Sequence, residues 1–307
     1  MRRRQTVLAT LMVLTAVACG NVDDDPASEG VEIIAAFYPL EFVATEITGG
    51  NANVTNLSPP GVEPHDLELA PDQVRSLAQA DLILFVGQGF QPAVEDVVDE
   101  LSGTPVIDGL ETQDELIEGG DAHEDGDAHE DELGEGVADP HVWLDPTRVA
   151  SLGRAVAAEM QRIDEENAEV YEENAATLAD ALADLDGEYS AALENCERNE
   201  LVVSHEAFGY LTERYGLEQV GVSGIDPESE PSPGRVAEVA EFAREHGVTT
   251  IFFEEQVAPD IAQVIADEVG ANVEVLDPLE FPPDGDADYF DVMRTNLDSI
   301  SAALGCE

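Results

Sequence analysis

Two series of short apolar runs, each run followed by a stretch of helical period, constrain this chain more than any other feature. In the first series Val31 to Tyr38, Val54 to Leu57, Leu82 to Val86 and Pro105 to Ile107 read as buried strands, with helical character at Leu40 to Thr48 and Pro71 to Gln79. The second series has strands at Leu201 to Val203, Gln219 to Val222, Thr249 to Phe253 and Val273 to Leu276. Helical stretches at Phe208 to Tyr215, Arg235 to His246 and Ile261 to Val269 lie between them. Such alternation folds as a parallel sheet covered on both faces.

Between the two series the period is helical throughout. Asp145 stands as an N-cap with Pro146 at the first helical position. Val149, Leu152, Val156, Met160 and Ile163 form one stripe, and Leu178, Leu182, Leu185, Tyr189 and Leu193 form another. The second stripe sits in a segment of about 28 residues, near 40 Å at 1.5 Å per residue, long enough to connect two lobes as a strut. The stripe covers too few heptads for a coiled coil. The expected architecture is therefore α/β, with two lobes, each a parallel sheet flanked by helices, joined by one long rigid α-helix.

The N-terminus carries Arg2, Arg3 and Arg4 before an apolar run from Thr6 to Ala18, which reads as an export signal too short to span a bilayer. Ala16-Val17-Ala18-Cys19 resembles a lipobox, which would leave Cys19 lipidated; an ordinary signal with a chance cysteine is the alternative. The expected division is a signal peptide at 1–18, a lipid-anchored tether at 19–30, an N-terminal α/β lobe at 31–145, connecting helices at 146–195 and a C-terminal α/β lobe at 196–307. Within the first lobe, residues 114–136 hold eleven acidic residues, five glycines, His123 and His129, and read as an acidic loop. With Cys19 assigned to the anchor, Cys196 and Cys306 remain, and in an exported protein an even pair suggests a disulfide, with two buried thiols as the alternative.

Charge excludes one class of partner. There are 68 acidic residues against 12 basic ones, all Arg, and removing Arg2 to Arg4 takes the net charge from -56 to -59. Nucleic acid is an implausible ligand for such a surface. The excess resembles that of halophilic proteins, and at about 1 M salt the Debye length is only about 3 Å, so metal selectivity must come from direct coordination.

Six histidines are few enough to read singly. His246 ends a helical stretch, where a cation suits the helix dipole. His65 lies beyond the strand Val54 to Leu57, His141 sits in DPHVWLDP, and His205 directly follows LVVS. Functional crevices of open parallel sheets lie beyond the carboxyl ends of strands, and Asp277, closing VEVL, fits the same rule. These four are separated by 76, 64 and 72 residues (141 − 65, 205 − 141, 277 − 205), so only folding can unite them. Three imidazoles with a carboxylate or water suit tetrahedral Zn²⁺, whereas Mn²⁺ favours more oxygen. Glu63 is a further carboxylate near His65, with a solvated turn residue as the alternative.

At these residues the chain resembles the solute-binding proteins of ABC importers for zinc and manganese, the cluster A-I or zinc-uptake family. The resemblance runs from AAFYPLEFVATEITGG and LSPPGVEPHDLELAPDQVRSLAQADLILFVGQGF through DPHVWLDP, SHEAFGYL, EPSPGRV and IFFEEQVAP to LDPL. It implies His65, His141, His205 and Asp277 as ligands, with His at 205 resembling the zinc-type members. It further implies a loop role for His123 and His129 in loose metal collection, with a solvated insertion as the alternative. An ABC permease with its ATPase subunit would be the partner, the lipid anchor would hold the chain outside the cytoplasm, and the receptor would act as a monomer. The mechanism implied is binding without chemistry, with modest lobe tilting.

Three rivals stay open at this point. A manganese or iron receptor differs only in the metal. A zinc hydrolase would need a general base and a substrate pocket, and no HExxH motif is present. A surface adhesin or structural lipoprotein would not need stoichiometric zinc.

Overall fold

The apolar runs fold as two sheets of identical strand order. The computed structural model describes residues 30–59, 61–119, 138–254 and 260–307. In the first sheet β1 (Val31–Ala35) lies between β2 (Ala52–Asn56) and β3 (Leu82–Phe85), with β4 (Val106–Asp108) outside β3; all pairs are parallel. Ile33 is in register with Val54 on one side and Leu82 on the other. The second sheet repeats the pattern with β5 (Glu200–Val203) between β6 (Glu218–Gly221) and β7 (Thr250–Phe253), and β8 (Asn272–Val275) outside β7. Each sheet therefore reverses its order between its first and third strands, which opens a crevice beyond their carboxyl ends.

Helices cover the sheets. In the first half these are α1 (Tyr38–Thr48), α2 (Pro71–Leu77) and α3 (Pro92–Glu100); the second half has α6 (Gly209–Tyr215), α7 (Pro233–His246), α8 (Asp260–Val269) and α9 (Tyr289–Leu304). The expected first strand, Val31 to Tyr38, stops at Ala35. Phe37 has extended backbone as an N-cap and Pro39 opens α1, so the chain turns before Tyr38.

Between the halves, α4 (Pro146–Ile163) and α5 (Ala168–Ala192) form a packed hairpin. Asp145 caps α4 by accepting the Thr147 N–H at 2.8 Å, as the Asp-Pro pair predicts. The 25 residues of α5 extend about 37 Å. Among the described residues no helix is long and apolar enough to cross a membrane.

The larger of two hydrophobic clusters among the described residues runs through both halves, and the smaller, with Val202, Val239 and Ile265, lies in the second half. The larger contains Ile33, Leu84 and Trp143 together with Leu201, Val203, Tyr289 and Ile300, all essentially buried. Phe42 of α1 stacks on Tyr289 of α9 with ring centroids 5.0 Å apart. The Tyr189 hydroxyl of α5 donates to the Met293 carbonyl at 2.6 Å. Cys196 Sγ and Cys306 Sγ are bonded, which ties the end of α9 to the start of the second sheet.

Candidate metal centre

Three histidines and one carboxylate converge beyond the strand ends, and each arrives by a different local device. His141 lies in the turn before α4. Its backbone N–H donates to Asp139 Oδ1 at 2.8 Å, and its ring Nδ1 meets the same oxygen at 2.7 Å. Nε2 is thereby left facing the crevice. His205 follows β5 after Ser204, and its Nδ1 lies 2.5 Å from Oε1 of Glu254, the residue that follows β7. These two strands flank the order reversal of the second sheet. Ser204 Oγ donates to the same Glu254 oxygen at 2.5 Å. His65 comes from a turn without helix or strand; its ring packs edge-on against Phe90 at 4.4 Å, and its backbone N–H reaches Glu63 Oε1 at 3.2 Å.

Glu280 supplies the carboxylate. Its Oε1 is 3.7, 3.4 and 3.5 Å from Nε2 of His65, His141 and His205, and the His141 and His205 Nε2 atoms are 3.4 Å apart. The four residues each offer a ligand atom within 4.8 Å of all the others. Nitrogen and oxygen ligands at about 2.0 to 2.1 Å from tetrahedral Zn²⁺ stand about 3.3 to 3.4 Å from one another. The observed spacings are close to those tetrahedral edges. Among the described residues, His65 Nε2 and both Glu280 oxygens are buried and lack a hydrogen-bond partner, so their bonding capacity points inward unspent. Two surface cavities, of about 300 and 270 Å³, lie along α4 and contain no residue of this centre.

Electrostatics fits a cation-binding site. Burial works to lower the His205 pKa, but Glu254 and Glu280 outweigh it and hold the imidazole well above its ordinary range. Burial is likewise outweighed at His141, by Asp139 and Glu280, so that its pKa is raised. At His65 burial outweighs Glu280, so its pKa is pushed down. Burial would raise Glu280, yet the three imidazoles hold it well below the usual carboxylate value. Burial, and then the Glu280 charge, push Glu63 up to about 8.

The structure does not bring Asp277 into the group of four. Its Oδ1 accepts the Leu279 N–H at 2.7 Å, and the carboxylate among the imidazoles belongs to Glu280, three residues on. The Asp277 carboxylate instead serves the turn that follows β8. Glu63 stands beside the group without belonging to it. His123, His129 and Cys19 lie outside the described residues. His246 is exposed at the end of α7, with its ring stacked on Phe242 at 4.0 Å, far in role from the centre.

A model of the family described as zinc-uptake complex component A, periplasmic, matches residues 33–303. The chain belongs to this zinc-uptake family. The high-affinity zinc uptake system protein ZnuA of Bacillus subtilis is 33% identical to it, over 97% of this chain and 96% of that protein. The zinc-binding lipoprotein AdcA of Streptococcus pneumoniae is 32% identical over 98% of this chain, which spans only 60% of AdcA. The Zn(II)-bound ZnuA-like domain of that AdcA superposes with a TM-score of 0.74 at 29% identity, covering 90% of this chain and 99% of the domain. The laminin-binding protein Lmb of Streptococcus agalactiae, described as bifunctional in adhesion and metal transport, gives a TM-score of 0.77 at 28% identity, covering 90% and 100%. The family is one of uptake components and not of enzymes, and its zinc-uptake fold accounts for both sheets and the long helix.

Asp139 and Glu254 were not among the residues singled out from sequence. Asp139 stands two residues before His141, and Glu254 follows a strand as His205 does, so both carried a readable signal.

Proposed function

We propose that this chain is the extracytoplasmic metal-binding receptor of an ABC importer, which captures Zn²⁺ at His65, His141, His205 and Glu280 and hands it to a permease driven by its ATPase subunit. One observation carries the reading: four ligand atoms from four distant segments lie within 4.8 Å of one another, with the Glu280 oxygen and the His65 nitrogen buried and unspent among the described residues. Three nitrogens and one oxygen suit zinc better than manganese or iron. Zinc entering the centre displaces protons from His141 and His205, because only neutral imidazole coordinates, so affinity falls as pH falls through their titration.

In this reading Cys19 carries the lipid, 1–18 is the export signal and 19–30 the tether, and the receptor works as a monomer. The lipobox-like residues and the lipoprotein name of the streptococcal AdcA support the anchor. The acidic surface supports solubility at high salt. Release follows when the docked permease disturbs the ligand geometry.

Elemental analysis of protein purified without chelator, paired with competitive titration by Zn²⁺, Mn²⁺ and Fe²⁺, tests the proposal. One equivalent of zinc per chain is expected, bound in preference to the other metals and lost on alanine substitution of any of the four ligands. Stoichiometric binding that survives all four substitutions would overturn it.

A further inference from the structure

Glu280 differs from His141 and His205 in one respect: among the described residues no group outside the imidazole cluster orients its side chain. Asp139 orients His141 and Glu254 orients His205, whereas among the described residues neither Glu280 oxygen has a hydrogen-bond partner. Its direction must therefore be set by the backbone that carries it, and that backbone is fixed from three sides. Asp277 Oδ1 accepts the Leu279 N–H at 2.7 Å, the bond of an Asx turn. Buried Asn296 of α9 accepts the Asp277 N–H at 3.0 Å and donates its Nδ2–H to the Asp277 carbonyl at 2.7 Å, so a side-chain amide stands in for a neighbouring strand. From the first half of the molecule, Trp143 Nε1 donates to the Pro278 carbonyl at 2.7 Å, two residues beyond His141.

These bonds hold fully buried Leu279 at φ +60°, a left-handed conformation that bulky L residues avoid. Such a residue persists only where its surroundings over-determine it. The reversal at Leu279 separates Asp277, at the strand end, from Glu280, at the imidazoles. We propose that Asp277 is a positioning residue for metal capture: its carboxylate locks the 277–280 turn and so mounts Glu280 against the three histidines.

The inference rests on the receptor reading above, and a double-mutant cycle separates the two. Zinc affinity is measured by chelator competition for the full chain and for D277A, D277N, E280A and D277A/E280A. D277A is expected to bind zinc about 10- to 100-fold more weakly, the usual effect of removing a group that orients a ligand. D277N, which keeps an acceptor oxygen, should stay within about threefold, and D277A should add less than about twofold in the E280A background because it acts only through Glu280. The Co²⁺-loaded D277A protein should also shift its visible spectrum toward that of E280A. Should D277A fail to fold, D277S enters the same cycle with its shorter acceptor and an intermediate loss. Equal penalties in both backgrounds, or full affinity in D277A beside a weakened E280A, would overturn the mounting role. Unchanged affinity in E280A would instead overturn the four-ligand centre.

Discussion

Glu254→Gln separates charge from geometry at His205. Gln keeps an Oε1 acceptor for His205 Nδ1 and Ser204 Oγ, both now 2.5 Å from Glu254 Oε1, and removes only the negative charge. An orienting partner behind a metal-bound imidazole is worth about 10- to 100-fold in metal affinity. That is about 1.4 to 2.7 kcal/mol. The same charge also stabilises the imidazolium, since burial alone would lower the His205 pKa and Glu254, with Glu280, holds it well above the ordinary range. Zinc and proton compete for one imidazole, so Glu254 favours both competitors. Above the folded His205 pKa no proton has to leave, and the variant shows its full zinc deficit. Below that pKa the variant also binds its competing proton less tightly, and the deficit shrinks. Titration against a chromophoric chelator, carried upward from about pH 6 until the deficit stops growing, follows both arms. A deficit that stays constant or widens as pH falls would show that Glu254 acts only as a spacer, and the electrostatic account of His205 would be wrong.

Further outcomes follow from the same centre. In chelator, stability should fall as pH rises: the raised His141 and His205 pKa values give stabilisation that is full below the unfolded value of about 6.5 and lost through the folded values. Glu63, pushed up to about 8, adds to that fall as it is forced to ionise, while His65 and Glu280, held low, oppose it only on the acid side. Scanning fluorimetry with chelator and with excess zinc should therefore give opposite slopes above about pH 6.5, because zinc gains from deprotonation; parallel slopes would contradict the proton-displacement account. Calorimetry should find H65A, H141A and H205A deprived of tight zinc binding and H246A unaffected. Replacing Cys196 and Cys306 by Ser opens a link of sequence separation 110. In the chain-entropy account that lowers stability by about 4 to 5 kcal/mol, visible in denaturant titration, with zinc affinity within about threefold of the parent.

Much of this was legible in the chain because strands buried on both faces read as continuous apolar runs, and because strand ends point at the crevice. That rule singles out His65, His141 and His205, which the structure brings together with Glu280. The helix α9 lies beyond the second alternating series, although Tyr289, Met293, Leu297, Ile300 and Leu304 form a clear stripe behind the cap Asp288. In α3 only Val94 is buried among nine residues, so its pattern was faint. Glu280 was beyond reach of the strand-end rule, which stops at Asp277. What moves the carboxylate three residues on is the left-handed Leu279, and that conformation depends on Trp143 and Asn296, which are 135 and 19 residues from the atoms they bind.

The shared core also limits how the receptor can load and release. Phe37, Phe42, Trp143, Tyr189 and Tyr289 are buried in one cluster that spans both sheets, and Tyr289 Oη reaches the Trp143 carbonyl at 2.8 Å across the seam. Burial of such side chains contributes about 1.5 to 3 kcal/mol each, so exposing five would require on the order of 10 kcal/mol. That equals the whole stability of an ordinary domain, which makes a wide hinge opening equivalent to unfolding. Movement must then come from segments that carry less of that packing, as around His65, where Leu67 is the one core residue of 61–70. His141 and His205 are each clamped to a buried carboxylate, beside a packed helix and a strand, whereas residues 61–70 around His65 have neither helix nor strand and the His65 Nε2 has no hydrogen bond. Displacement of the His65 turn is therefore the opening expected to leave the core intact.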